Sequence, residues 1–160
     1  MATIVKETGT GSASSNSYVT ETEFGTYASD RGVTLTASTD ALKAELLIKA
    51  MDYLESKNFI GYKKSIEQAL MWPRSNASLD GFYIASDSIP TLLQQAEMEI
   101  AISIDGGFNP MANIPRETIK EKVGDIEVEY KSSSMAVEYL MAAETKLKKL
   151  VHSANRSYRV

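Results

Sequence analysis

Apolar residues recur at spacings of three and four along several stretches of the chain, and at a spacing of two along one. The clearest helical stripe is Leu42, Leu46, Leu47, Ala50, Met51 and Leu54. It follows Ser38-Thr39-Asp40, side chains suited to capping, and the run to Ser56 contains no Gly or Pro. A shorter helix is predicted before it. It starts at Thr20 with Glu23 at capping-box spacing, carries Phe24, Tyr27 and Ala28 on one face, and stops at Gly32. Pro90 suits the first turn of another helix, which runs to about Ser103 with Leu93, Ala96, Ile100 and Ile104 as its buried stripe. Ser134 is placed to cap a last one carrying Val137, Leu140, Met141, Leu147 and Leu150. A brief helix is also expected over residues 65–71, with Ile66, Ala69 and Leu70 inward and Trp72 extended ahead of Pro73.

The period changes to two between the last two long helices. Ile126, Val128 and Tyr130 alternate there with Glu127 and Glu129, after Gly124-Asp125. This predicts a β-hairpin over about residues 117–130, its turn near 123–125, with the apolar face packed on a neighbouring subunit or on its own bundle and the glutamates in water. Residues 2–7 read as a short strand. Residues 8–17, rich in Gly and Ser, read as a flexible arm or long loop, and residues 74–88 as a loop with a short strand near Gly81-Phe82-Tyr83-Ile84. The expected fold is mainly α: a small helical bundle with a protruding β-hairpin and flexible N- and C-terminal segments. It forms one domain over residues 1–160, with an arm at 1–17, the bundle at 18–150 and a tail at 151–160.

Composition removes several function classes. The absence of Cys excludes a disulfide framework, thiol catalysis and Cys-ligated zinc, and a single His, His152, argues against His-rich metal sites and most acid–base triads. No apolar run approaches the ~20 residues of a membrane span, and the N-terminus lacks the basic and apolar regions of a signal peptide. Charge is divided along the chain. Residues 1–145 carry a formal −9, whereas Lys146, Lys148, Lys149, Arg156 and Arg159 give the last fifteen residues +5. A basic end on an acidic body suits either a solvated helix terminus or a docking tail for an acidic partner.

Candidate chemistry is sparse. The chain contains no phosphate-binding Gly-rich loop, EF-hand or nucleophile elbow. The acidic pairs Glu97/Glu99 and Glu127/Glu129 come with no sign of the cleft that two-carboxylate chemistry needs. The expectation is a protein that is not an enzyme and takes no cofactor or metal, with His152 an ordinary surface residue. Two aromatic–basic groups, Tyr62-Lys63-Lys64 and Trp72-Pro73-Arg74, have the makings of a single-stranded-DNA contact, since aromatic rings stack on bases while neighbouring cations hold phosphates. Trp72 also suits a core anchor.

Ordered motifs add a resemblance. Asn16-Ser17-Tyr18-Val19, Tyr27-Ala28-Ser29-Asp30-Arg31-Gly32, Ala50-Met51-Asp52-Tyr53-Leu54, Gln68-Ala69-Leu70-Met71-Trp72-Pro73-Arg74, Ile89-Pro90 and the run Glu121 to Tyr130 follow one another over roughly residues 16–130. This order resembles tailed-bacteriophage head–tail adaptor (connector) proteins. Related sequences also carry the label DnaT-like single-stranded-DNA-binding protein. The adaptor resemblance implies a structural virion protein of the neck, made in the host cytoplasm. It implies a dodecameric ring between portal and tail that extends the DNA channel. Its partners are then portal protein, tail or neck proteins, and duplex DNA passing through the lumen without sequence-specific binding, with no membrane. Ile126, Val128 and Tyr130 become a subunit interface, and Lys148, Lys149, Arg156, Tyr158 and Arg159 dock the tail on the portal. The alternative is a single-stranded-DNA-binding replication accessory protein, contacting DNA through Tyr62, Lys63, Lys64, Trp72 and Arg74.

Overall fold

A computed structural model describes residues 2–112, 120–123, 126–129 and 135–152, with the backbone alone for 120–123, 126–129 and 135–139. In chain order the elements are α1 (Glu21–Asp30), α2 (Asp40–Glu55), β1 (Tyr62–Lys63), β2 (Arg74–Ser75), β3 (Ala77–Leu79), β4 (Phe82–Ile84), α3 (Thr91–Asp105), β5 (Lys120–Val123), β6 (Ile126–Glu129) and α4 (Met135–Leu147). The strands form antiparallel pairs, β1 with β2, β3 with β4 and β5 with β6. The mainly helical reading with a hairpin therefore holds. Among the described residues no helix is long and apolar enough to cross a membrane.

Local chemistry sets the helix ends. The Thr20 hydroxyl accepts the Glu23 N–H, while the Glu23 carboxylate accepts the Thr20 N–H at 2.7 Å, closing a capping box. At the other end Gly32 adopts φ 68°, and the N–H groups of Gly32 and Val33 donate back to the carbonyls of Ser29 and Ala28. That is the Schellman stop the glycine predicts. The Thr39 hydroxyl caps α2 by accepting the Leu42 N–H.

α3 is the central helix, packed along α2 and α4 and touched by α1. Being covered on several sides, it buries Glu97, Met98 and Ala101 as well as Leu93, Ala96 and Ile100, while Ile104 is half-buried. The buried face of α2 is turned from the expected stripe. Ala44, Leu47, Ala50, Met51 and Leu54 are buried, Leu46 is half-buried and Leu42 is exposed. On α4, Leu140, Ala143 and Leu147 are buried, as is Leu150 just beyond, and Met141 is exposed. Polar groups tie the helices at their margins. Glu99 accepts from the Tyr27 hydroxyl at 2.7 Å and from Lys146 at 3.3 Å, and Glu144 accepts from the Tyr53 hydroxyl and, at 2.7 Å, from Lys57.

Three expectations need correction. Residues 65–71 form no helix, and of the three expected inward residues Ile66 is 94% exposed, Ala69 is exposed and only Leu70 is buried, beside the buried Gln68. The Gln68 side chain accepts the Ser65 N–H and donates to the carbonyls of Leu70 and Pro73, and the Ala69 N–H donates to Ser12. Of these groups, the Ala69 N–H is the one that an α-helix over 65–71 would have paired within itself, with the Ser65 carbonyl. Residues 2–7 form no strand beyond a single bridge between Lys6 and Ser17. Residues 74–88 contain three short strands, where one was expected.

Residues 8–17 run as a loop closed around the buried Glu7 carboxylate, which accepts the N–H groups of Gly9, Gly11 and Ser12 at 2.8, 3.1 and 2.8 Å and the Ser15 hydroxyl at 3.2 Å. Burial pulls the pKa of this carboxyl upward, but those donors outweigh it and hold the group below its ordinary value.

The strands of the last hairpin pair in the register Lys120↔Glu129 to Val123↔Ile126, within the span read from the period-two pattern. The proposed interface face lies outside the described residues at Tyr130 and at the side chains of Ile126 and Val128, as do Ser134 and the Val137 side chain. Arg156, Tyr158 and Arg159 of the tail lie outside them too.

Candidate nucleic-acid interface

The segment between α2 and α3 is built on one arginine. Arg74 is buried, and its guanidinium donates to the carbonyls of Ile60 (2.7 Å), Met71 (3.2 Å), Phe59 (3.3 Å) and Gly61 (2.7 Å). Burial lowers its pKa, opposed by Tyr18 and Glu55 nearby. Trp72 has no exposed surface and meets Phe59 edge-on at 6.2 Å. Its backbone N–H donates to the Tyr18 hydroxyl, which in turn donates to Glu55 at 3.1 Å. Trp72 and Arg74 are therefore the internal support of this region, and neither presents a surface to DNA.

That support holds Tyr62 outward. β1 pairs with β2 in the register Tyr62↔Ser75 and Lys63↔Arg74, leaving Tyr62 70% exposed. Lys63 and Lys64 are exposed along their stems, but their ammonium groups reach back to the carbonyls of Gln68 (3.4 Å) and Gly9 (3.1 Å). Beyond β2, strands β3 and β4 form a hairpin about Asp80-Gly81, with φ 51° and 88° and Leu79 opposite Phe82. Positive φ at both central residues is the turn that Asp-Gly favours. Alternation then divides the side chains. Ala77, Leu79 and Ile84 face the core, whereas Ser78 and its cross-strand partner Tyr83 face outward, Tyr83 at 74% exposure. The Tyr83 hydroxyl donates to Asn76 at 2.8 Å.

The C-terminal end of α4 closes the other side. The Ile60 N–H donates to the Leu150 carbonyl at 3.0 Å and the His152 N–H to the Asn58 carbonyl at 2.8 Å, so residues 150–152 lie alongside residues 58–60. This brings Lys149 and His152 beside β1. A cleft of about 370 Å³ results, lined by Ile60, Gly61, Tyr62, Asn76, Ser78, Lys149 and His152. The Lys149 ammonium donates to the Asp80 carboxylate at 2.7 Å, with both groups more than half exposed. Among the described residues no cluster of His, Asp and Glu is placed to hold a metal ion.

The structure thus brings together Tyr62, from the suggested DNA contacts, and Lys149, from the suggested docking tail. Lys148 is exposed but does not line the cleft. Asn76, Ser78, Tyr83 and His152 were not singled out as contacts by sequence reasoning. Asp80-Gly81 between two apolar-alternating triplets was the signal that could have exposed the hairpin and hence Tyr83.

The profile of the family described as "Putative DnaT-like ssDNA binding protein" matches residues 1–160, and the chain belongs to that family. The match bears out the DnaT-like part of the resemblance and gives no support to the head–tail adaptor assignment. No curated protein and no solved structure matches the chain.

Proposed function

We propose that this protein binds single-stranded DNA, without catalysis, at the cleft between β1, the β3–β4 hairpin and the end of α4. The observation that carries this reading is the pair of outward tyrosines: Tyr62 lines a cleft that also holds Lys149 and His152, and Tyr83, outside that lining, is joined to it through its hydrogen bond to Asn76. Exposed rings accept bases of any sequence by stacking, worth about 1–3 kcal/mol per base on alanine substitution. Lys149 and the ring N–H of His152 are suited to phosphate, and Asn76 and Ser78 to base edges or sugar. The family supports the same reading. With few cations at this cleft, affinity should be moderate and should fall as salt rises, by about 0.7 in the log–log slope per cation engaged.

Fluorescence anisotropy with labelled oligo(dT) at two salt concentrations tests it. Tyr62→Ala and Tyr83→Ala should each weaken binding about fivefold or more, and Lys149→Ala should reduce the salt slope by about 0.7. Absence of binding at low salt, or tyrosine variants that bind as the parent does, would overturn the assignment.

A second reading, the ring-forming head–tail adaptor of the viral neck, is favoured by the ordered motifs and by the β5–β6 hairpin inserted between α3 and α4, whose strands pair with each other. Such a hairpin suits the reach to a neighbour that a closed heterologous ring requires.

A further inference from the structure

Among the attachments of the N-terminal strap, residues 4–19, to the bundle is one fully buried carboxyl at its C-terminal end. Glu97 sits on α3 with no exposed surface. Its Oε2 accepts the Tyr18 N–H at 3.0 Å, and its Oε1 lies 2.5 Å from the Ser17 hydroxyl oxygen. The Ser17 oxygen also lies 2.8 Å from the Val19 carbonyl and accepts the Val19 N–H at 3.1 Å. A serine hydroxyl has one hydrogen and two acceptor positions. It cannot donate to both Val19 and Glu97. All of these groups are satisfied together only when Ser17 donates to Val19 and Glu97 carries a proton that it donates to Ser17.

The surroundings agree with a neutral acid. The titratable groups that act on Glu97 from its surroundings include Glu23 of α1, Glu55 of α2 and the buried Tyr18 of the strap, and none of these is a cation. The nearby cation Lys6 is engaged by Glu23 at 2.6 Å. An ionised Glu97 would have neither solvent nor a cation to balance it.

We infer that Glu97 is held as a neutral acid whose proton, donated to Ser17, latches the N-terminal strap onto α3, and that removing this proton at alkaline pH releases the strap. Burial, ahead of the repulsion from Glu23 and Glu55, raises this carboxyl to a pKa of about 8, even with the Tyr18 N–H donating to it and pulling it down. Release would reach further than residues 17–19. The strap also accepts at the Ser12 and Gly9 carbonyls and the Tyr18 hydroxyl, which hold the Ala69 N–H, the Lys64 ammonium and the Trp72 N–H, and so it braces the segment that carries β1 and β2.

Hydrogen exchange of the full chain, corrected for the intrinsic effect of pH, reads the latch directly. Between about pH 6 and about pH 9.5, protection of the Tyr18 and Val19 amides should fall at least tenfold, and they should exchange ahead of α3 peptides, which stay the better protected throughout. Glu97→Gln, whose amide donates to Ser17 and accepts from Tyr18, should hold strap protection level across the same range. Should that variant not fold, the ¹³C signal of the Glu97 carboxyl in the parent decides. A midpoint well above the ordinary glutamate range supports the latch, and one near the ordinary value overturns it. Strap protection that ignores pH in the parent, or that falls equally in Glu97→Gln, also overturns it.

Discussion

Glu7 and Glu97 bury two carboxyls at opposite ends of the same strap, and the donors around each decide its charge. Three backbone N–H groups converge on Glu7 and favour the anion, whereas Glu97 meets one N–H, one hydroxyl and two acidic neighbours. Their contributions to stability therefore run in opposite directions with pH. Glu97 binds a proton in the folded state that the unfolded chain releases above its ordinary value of 4.5, so its contribution is full below that value and is lost as pH rises toward about 8. The slope reaches at most about 1.4 kcal/mol per pH unit. Glu55, also raised by burial, acts in the same sense. Glu7 stabilises above its ordinary value and ceases to as pH falls through its lowered pKa. Urea midpoints should peak in mildly acidic solution and decline toward pH 8, and Glu97→Gln should flatten the alkaline decline. A parent midpoint unchanged between about pH 5 and about pH 8 would contradict this account. Sequence showed Glu97 only as half of an acidic pair with Glu99. Its burial depends on α3 being covered by the strap, an arrangement no local pattern encodes.

At the scale of elements, helix positions were legible and the inter-helix segment was not. Thr20, Gly32 and Thr39 act through neighbours within five residues, so their caps follow from spacing alone. The segment from 59 to 84 owes its shape to Arg74 and Gln68, polar residues that bond to backbone several positions away. Arg74→Met should leave those carbonyls without a donor and cost about 2–4 kcal/mol, whereas Tyr62→Ala should change stability by less than about 0.5 kcal/mol. Urea unfolding of the two variants measures the contrast. Equal effects would mean that Arg74 is not the support described here. The hairpin at Asp80-Gly81 was legible in principle, but the surrounding Ser, Asn and Asp read as a loop.

For the molecule as a whole, charge asymmetry joins the two functional readings. The acidic residues dominate positions 1–145, and the basic end departs from the end of α4, beside Tyr62 and Asn76. Deleting residues 153–160 removes Arg156 and Arg159 while keeping the pairing of residues 150–152 with 58–60. If the DNA reading holds, the truncated chain should bind oligo(dT) with a salt slope smaller by about 1.4. If the ring reading holds, truncation should abolish co-migration with portal in native mass measurements and leave the weak DNA titration unchanged. Loss of neither would remove the tail from both mechanisms.

The sequence by itself determined the helical class, the four long helices, the caps of α1 and α2, the period-two hairpin and the separation of acidic body from basic end. Each of these follows from residues a few positions apart or from simple counting. Only the tertiary structure decided which aromatic residues are available. Trp72 and Arg74 turn inward because Phe59, Tyr18 and the 59–61 carbonyls are there to receive them, while Tyr62 and Tyr83 are turned out by strand pairing. The cleft joins residues near 60, near 77 and near 150, brought together when the end of α4 pairs with residues 58–60. Contacts of that separation depend on how helices pack, and packing is a property of the whole chain.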